Sequence, residues 1–356
     1  MDRLWWENIT NTSHFIDQIV EAVQSGSHLF LQLPQFVPWY ETMSDLVISK
    51  IERQNSDRSL KIIMDSGKDP GEYLFYQYCR QEKRAQYRPG IGYAQFLAKS
   101  EELIMNHYIL WVTQADAAQA KKWYTFLEGY SKALGKGKKG CIFLIETRED
   151  VSIRERGSIK RLVYEKEIAH YDTYLFAMLA ASTQKQTEGF RQYLAEAVSS
   201  VVPDDAELAC ACIKRGRIFL EDPVKTIASI KKETFRSDGT AFWPDISEKQ
   251  IAERMWEAQI KVVFPIIEKQ RSIIVERYRK GIEALLPITG AYGEMFFDAE
   301  DVEIGVLSHL VSLGRLVVAF EDGKMIARLR NARNTLAHIK PMTQAEIDEG
   351  DRKSVV

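Results

Sequence analysis

The chain predicts an α/β domain followed by all-α structure. A mostly parallel sheet flanked by helices comes first, then a helical middle subdomain, then a C-terminal helical bundle. Three observations carry this. Four short apolar runs alternate with helical patterns up to about residue 181. From Ser247 onward the apolar spacing is helical throughout. Between them lies a mixed, polar stretch that closes on Ser237-Asp238-Gly239-Thr240 and Trp243-Pro244, the clearest linker in the chain. The divisions expected are 1–181, 182–245 (helical or winged-helix-like), 246–342, and a charged, disordered tail over 343–356.

Composition narrows the function. At 356 residues the chain is long for one core. With 45% hydrophobic and 28% charged residues it is an ordinary globular composition. The net charge of -2 gives no global excess of cations to hold phosphates, so any nucleic-acid contact must be local. No apolar run approaches the roughly 20 residues of a membrane span, and Met1-Asp2-Arg3-Leu4-Trp5-Trp6-Glu7 is no signal or transit peptide, so a cytoplasmic protein with no membrane partner is expected. Cys79, Cys141, Cys210 and Cys212 lack zinc spacing and are expected as structural thiols, with no metal and no cofactor.

In order, Trp5 to Gln24 is amphipathic, with Phe15, Ile16, Ile19, Val20 and Val23 on one side, and Gly26 stops it. The strands expected are Leu29–Leu33, Leu60–Met64, Tyr108–Val112 and Cys141–Ile145. Helices are expected over Tyr40–Arg53, Gly71–Glu82, beyond Asp116 to Leu134, and over Tyr164–Ala181. Strands separated by helices imply right-handed crossovers and parallel pairing. Gly135-Lys136-Gly137-Lys138-Lys139-Gly140 matches a dinucleotide-loop pattern by letter. It follows a helix and precedes a strand, the reverse of what a pyrophosphate site needs. A solvated connection with a glycine helix cap is expected there; the alternative is a basic tip that touches RNA or a partner.

In the middle stretch, Val202-Pro203-Asp204-Asp205 starts a helix ended by Gly216, Ile218–Leu220 is a short-strand candidate, and Asp222-Pro223 starts another helix. Ser247 with Gln250 is a capping-box pattern opening a long helix to about Leu285, with Pro265 inside it. A second helix is expected over Asp301–Phe320, a break at Asp322-Gly323, and a last helix from Lys324.

The N-terminal alternation resembles the core of P-loop ATPases of the AAA+ and STAND groups. In those the first strand runs into a glycine-rich loop with Lys, whose amides hold phosphate. Here the corresponding loop is Gln32 to Tyr40, with no Gly, no Lys and two prolines, Pro34 and Pro38. The resemblance implies a degenerate domain that kept the fold and lost nucleotide chemistry.

The last helix carries Leu329-Arg330-Asn331-Ala332-Arg333-Asn334-Thr335-Leu336-Ala337-His338. With Trp256-x-x-Gln259, Phe264-Pro265-x-x-Glu268-x-x-Arg271 and Asp301-x-Glu303-x-Gly305-x-Leu307, it resembles a HEPN domain with its Arg-Asn-x-x-x-His ribonuclease motif, over about 250–342. The resemblance implies metal-independent RNA cleavage by Arg333, Asn334 and His338, with Arg330 beside them. The residue types suit that chemistry. His titrates near neutrality, and Arg stays charged and grips phosphate bidentately.

Helical geometry adds a condition. At about 100° and 1.5 Å per residue, Arg333 and His338 point about 140° apart and lie about 7.5 Å apart along the axis. Arg330, Asn334 and His338 drift only about 80° and share a face. A composite site across a homodimer, or a higher even oligomer, is therefore expected. The functional expectation is an RNA-cleaving toxin or anti-phage effector, restrained or sensed through its N-terminal domain, with a regulatory protein as a further partner. The alternative is a catalytically inactive HEPN and pseudo-ATPase adaptor that dimerises and assembles complexes. A DNA-binding regulator using residues 204–235 is a third reading, without a convincing recognition helix.

Overall fold

The computed structural model describes residues 1–351 except 55–56, 101–102, 136–138, 243–245 and 291–292, and the side chains of 348–351 are left aside. The chain divides into two compact units, Met1–Asp172 and Thr173–Val356.

The first unit is built on five parallel strands: β1 (His28–Gln32), β2 (Ser59–Met64), β3 (Tyr108–Thr113), β4 (Ile142–Thr147) and β5 (Ile159–Val163). Their order is β2-β3-β4-β1-β5, every pair parallel. The four apolar runs expected as strands are all present. β5 is an addition, hidden in the sequence because Lys160 and Arg161 interrupt its apolar pattern. Such cations suit an edge strand, where they discourage pairing with another chain.

The helices are α1 (Asp2–Asn8), α2 (Thr10–Gln24), α3 (Tyr40–Gln54), α4 (Pro70–Tyr78), α5 (Gln81–Arg84), α6 (Tyr93–Lys99), α7 (Ala117–Leu134) and α8 (Tyr164–Glu167). The expected Trp5–Gln24 helix is two, parted at Ile9, whose backbone is extended. One sheet face packs Phe30, Leu110, Val112, Phe143 and Ile145 against Leu74, Leu97, Trp123, Leu127 and Tyr130 of α4, α6 and α7. α1 to α3 lie over the other, where Trp5, Trp6, Phe15, Ile16 and Val47 are buried. Each fully buried side chain of this size contributes about 2–3 kcal/mol.

α9 (His170–Ser182) crosses the boundary between the units. The single Tyr164–Ala181 helix expected from the sequence is split at Ile168-Ala169, where the Asp172 carboxylate takes the Ala169 amide at 2.8 Å and so starts α9. The second unit continues with α10 (Glu188–Val201), α11 (Ala206–Arg215), α12 (Arg217–Glu221), α13 (Pro223–Glu233), α14 (Glu248–Arg277), α15 (Arg279–Glu283), the two-stranded β6 (Ile288–Thr289) and β7 (Met295–Phe296), α16 (Ile304–Ser312), α17 (Phe320–Ala337) and α18 (Gln344–Asp351). Ile267, Ile274, Leu307, Leu310, Ile326, Leu329 and Leu336 form its bundle core.

Several expectations change here. Ile218–Leu220 is helical, in α12, because Phe219 and Leu220 bury together on a helical face. Between Glu188 and Glu233 the regular elements of the described residues are all helices, and residues 235–241 hold one isolated bridge, Phe235 to Ala241. The 182–245 stretch is tied to the bundle through α10, where Lys261 meets Glu196 at 2.6 Å and Arg254 donates to the Val201 carbonyl at 2.8 Å. Residues 236–240 are anchored too. Arg236 pairs with buried Asp205, and the Ser237 amide and hydroxyl donate to Glu207 at 2.8 and 2.5 Å. Trp243-Pro244 lies outside the described residues.

The Asp301–Phe320 helix is shorter, ending at Ser312, because Gly314 turns left-handed (φ 68°) and closes it. The break expected at Asp322-Gly323 is absent. Asp322 sits in the first turn of α17, where a carboxylate faces the positive end of the helix dipole. Arg277 Nη1 donates to both its oxygens (2.8 and 2.7 Å) and the Tyr278 hydroxyl donates at 2.6 Å. The tail expected to be disordered is helical over Gln344–Asp351. Thr343 and Glu346 bond reciprocally at its start, and Ile347 packs on the bundle core. Residues 352–356 lie outside the described residues.

One buried histidine has a measurable consequence. His28 on β1 is buried among Phe143 and Tyr130, and its Nδ1 accepts the Phe143 amide at 3.3 Å. Burial pushes its imidazole down to about 4. The unfolded chain takes up that proton near 6.5. Between these values the unfolded state binds more protons, so the stability is fully present above about 6.5 and is lost as pH falls toward 4. Urea unfolding at pH 7 and pH 5 should show about 2 kcal/mol lost to this group at pH 5, and His28→Asn should shrink the difference by that amount. An unchanged difference would refute the assignment.

Candidate functional site

The sequence places its chemistry on α17. Apolar Ile326, Leu329 and Leu336 bury one side of this helix, which leaves Arg330, Asn334 and His338 on another, more open one. Arg330 donates to Asn331 Oδ1 at 3.1 Å. The side chains of Asn334 and His338 make no hydrogen bond or ion pair among the described residues. Arg333 turns elsewhere, with its Nη2 3.1 Å from Glu303 Oε2 at the start of α16. The shared face of Arg330, Asn334 and His338 is therefore present. No hydrogen bond joins either arginine to His338 among the described residues.

The end of α17 is held by several bonds at once. His338 is the C-cap residue. Ile339 follows with φ 54°, its amide donating to the Leu336 carbonyl (3.2 Å) and the Lys340 amide to the Thr335 carbonyl (3.3 Å). This is the Schellman pattern that closes α16, with Ile standing where Gly314 stands there. A β-branched residue in the left-handed region is strained. Ile339 is 62% exposed, so packing offers little in return.

Two residues of α14 supply the constraint. Trp256 Nε1 donates to the Leu336 carbonyl at 2.7 Å. Gln259, fully buried, donates to the Met342 carbonyl at 2.9 Å and accepts the Met342 amide at 2.6 Å, and its Nε2 also reaches the Tyr193 hydroxyl at 2.9 Å. Trp256 and Gln259 are one helical turn apart, so they grip both ends of segment 336–342 and locate His338 between them. Arg271, from the same sequence pattern, donates to the Glu300 and Val302 carbonyls at 2.8 and 3.2 Å, which holds the chain leading to Glu303.

The first unit carries a second site of interest. The chain leaves β1 toward β2 on one side and leaves β4 toward β5 on the other. Such a parting opens a crevice at the carboxyl ends of parallel strands. Here it is filled. Glu146 of β4 is 3% exposed, and its carboxylate accepts from the Tyr40 hydroxyl (2.7 Å), Trp111 Nε1 (3.1 Å) and Arg148 Nη2 (3.1 Å). Burial, and then the Glu146 charge, raise the Tyr40 phenol above its ordinary range. The loop after β1 turns its carbonyls to the protein. Arg148 Nη1 donates to the Pro34 carbonyl at 2.9 Å, and Trp6 Nε1 to the Pro38 carbonyl at 2.9 Å. Asp116 caps α7 by accepting the Gln119 amide at 2.7 Å.

The Glu146 cluster escapes a reading of the sequence that ends the strand at Ile145. Its signal is a carboxylate following four apolar residues, with Arg148 two further on. Gly135 ends α7 with φ 77°, as a glycine cap; residues 136–138 of that run lie outside the described residues. All four cysteines are free and buried, and burial pushes the Cys141 and Cys212 thiols up. Among the described residues, no group of three or more His, Cys, Asp or Glu is placed to hold a metal ion, and no helix is long and apolar enough to cross a membrane.

No protein-family model matches the chain, and no curated protein does. Among solved structures, the structure of C. elegans PCH-2 aligns with 64% of this chain and 70% of that chain, at 7% identity and a TM-score of 0.33.

The hold on His338 makes two opposed stability outcomes. Gln259→Ala strands the buried Met342 amide and carbonyl, and should lower the unfolding free energy by about 3 kcal/mol. Ile339→Gly relieves the left-handed strain, and should raise it by about 1 kcal/mol. Urea melts followed by tryptophan fluorescence measure both, and an Ile339→Gly protein no more stable than wild type would show that position to be unstrained.

Proposed function

We propose that the chain is a metal-independent endoribonuclease of the HEPN type, with its site composed across a homodimer or higher even oligomer. One observation carries the proposal. Arg330, Asn334 and His338 form an open polar face whose Asn and His lack partners among the described residues, on a helix end that Trp256 and Gln259 hold in place. A side chain kept in position but left unpaired is what a proton-transfer group needs. In this mechanism His338 moves the proton of the 2′-hydroxyl or of the leaving oxygen. Arg330 stabilises the charge on the phosphorane. Asn334, between them, orients the scissile group. A second copy supplies the second acid–base group and a further pair of arginines.

Arg333 enters this scheme by leaving Glu303. Both side chains are partly exposed, so their pair contributes little and a phosphate can displace it. The first unit, with its filled crevice and carbonyl-anchored β1 loop, acts as the regulatory domain, degenerate in nucleotide chemistry and open to a partner protein. A cytoplasmic toxin or anti-phage effector is the setting we propose, since unrestrained RNA cleavage would harm its own cell. The second reading is an inactive adaptor that uses the same helix to dimerise. The Arg333–Glu303 pair favours it, because it occupies the arginine of the motif.

Purified protein incubated with total RNA in EDTA separates the two. Wild type should cleave, and His338→Ala and Arg333→Ala should each slow cleavage by about a hundredfold or more, with sedimentation showing an even oligomer. Equal cleavage by the variants would sink the site assignment. A wild type that cleaves nothing but sediments as a dimer would select the adaptor.

A further inference from the structure

The first unit contains a cleft of about 780 Å³ beside α7, lined by Lys122, Lys132 and Lys99 with Tyr93 and Phe126. It lies apart from residues 32–40. Its floor has a sequence reason. Gly129 on α7 meets Ala94 on α6 so closely that a Cβ would lie 3.2 Å from the Ala94 methyl, so the helices approach and leave the longer side chains at the rim. Tyr93 is held by Tyr87, the two rings stacked with centroids 4.7 Å apart and 7° between planes.

The charge of this lining is unbalanced. Lys122 and Lys132 have no carboxylate partner among the described residues. Lys99 meets the neutral Gln95 amide at 3.0 Å when that amide presents its oxygen. Asp69, the one acidic residue of the lining among the described residues, accepts the Glu72 amide through Oδ1 at 2.9 Å as the N-cap of α4, so its single charge stands against three lysines. Three cations thus face one cleft in a chain whose net charge is -2.

We propose that this cleft binds a small molecule carrying two or more linked phosphates. Its volume suits a whole ligand and exceeds what a single phosphate needs. Lys122 and Lys132 are ten residues apart on α7, about 15 Å along its axis, so one phosphate cannot reach both without drawing in two long side chains. A polyphosphate chain spans that distance in part and meets both. Lysines serve as point charges for phosphate. Tyr93, packed against Tyr87 and Phe75, lines the same cleft and puts an aromatic ring within reach of any ring at the other end of the ligand. This inference is independent of RNA cleavage at α17.

Isothermal titration of the full chain with tripolyphosphate and with ATP tests it. Both should bind one site per chain. Lys122→Gln with Lys132→Gln should weaken both by about a hundredfold, because two charge-assisted hydrogen bonds to phosphate are removed. Lys121→Gln, on the same helix but outside the lining, should leave affinity unchanged, and the Lys122→Arg, Lys132→Arg pair should retain it. Tighter binding of ATP than of tripolyphosphate, lost in Tyr93→Ala, would identify a nucleoside polyphosphate; equal binding would identify inorganic polyphosphate. The proposal is overturned if neither ligand binds, if the double Gln variant binds as wild type does, or if a ten-nucleotide RNA binds more tightly than both through the same lysines.

Discussion

The geometry of the candidate site hangs on the Gln259 amide. It is fully buried, so both ends of it must find partners or the fold loses the desolvation cost of each. It finds them in the backbone of Met342 and the hydroxyl of Tyr193. This joins α10, α14 and the stretch of chain beyond α17 at one point. Trp256, one turn earlier, gives the Leu336 carbonyl a second donor beside the Ile339 amide. With Leu336 and Met342 held, the residues between them have little freedom. Ile339 then accepts a left-handed conformation that its side chain opposes.

The same logic of satisfied groups shapes the first unit. A parallel sheet whose strand order reverses leaves a crevice, and carbonyls and amides at the strand ends must be met by something. In this chain Glu146 and Arg148 fill that place. The carboxylate gathers Tyr40 and Trp111, and the guanidinium ties the loop after β1 back to the sheet. Pro34 and Pro38 offer no amides in that loop. Its backbone presents carbonyls inward, the opposite of an anion cradle.

Regular elements were legible in the sequence wherever local signals agreed. The capping box of Ser247 and Gln250 opens α14 as its spacing implies, and the apolar runs of β1, β3 and β4 are buried strands. Errors arose where a distant partner overrode a local signal. Asp322-Gly323 looks like a helix breaker, but Arg277 and Tyr278 make Asp322 a first-turn anchor. Gln344 to Asp351 looks like a tail, but the Thr343–Glu346 cap and Ile347 packing order it. Ile218–Leu220 is too short for its periodicity to separate helix from strand.

The sequence by itself determined the face that Arg330, Asn334 and His338 share, because helical spacing is a local property set by backbone hydrogen bonds. It also determined that Arg333 and His338 point apart. Only the tertiary structure decided that Arg333 meets Glu303, that Asn334 and His338 are left without partners among the described residues, and that the helix end is clamped by Trp256 and Gln259. These depend on residues 30 to 83 positions away, and no local pattern encodes which distant side chain a packed helix will meet.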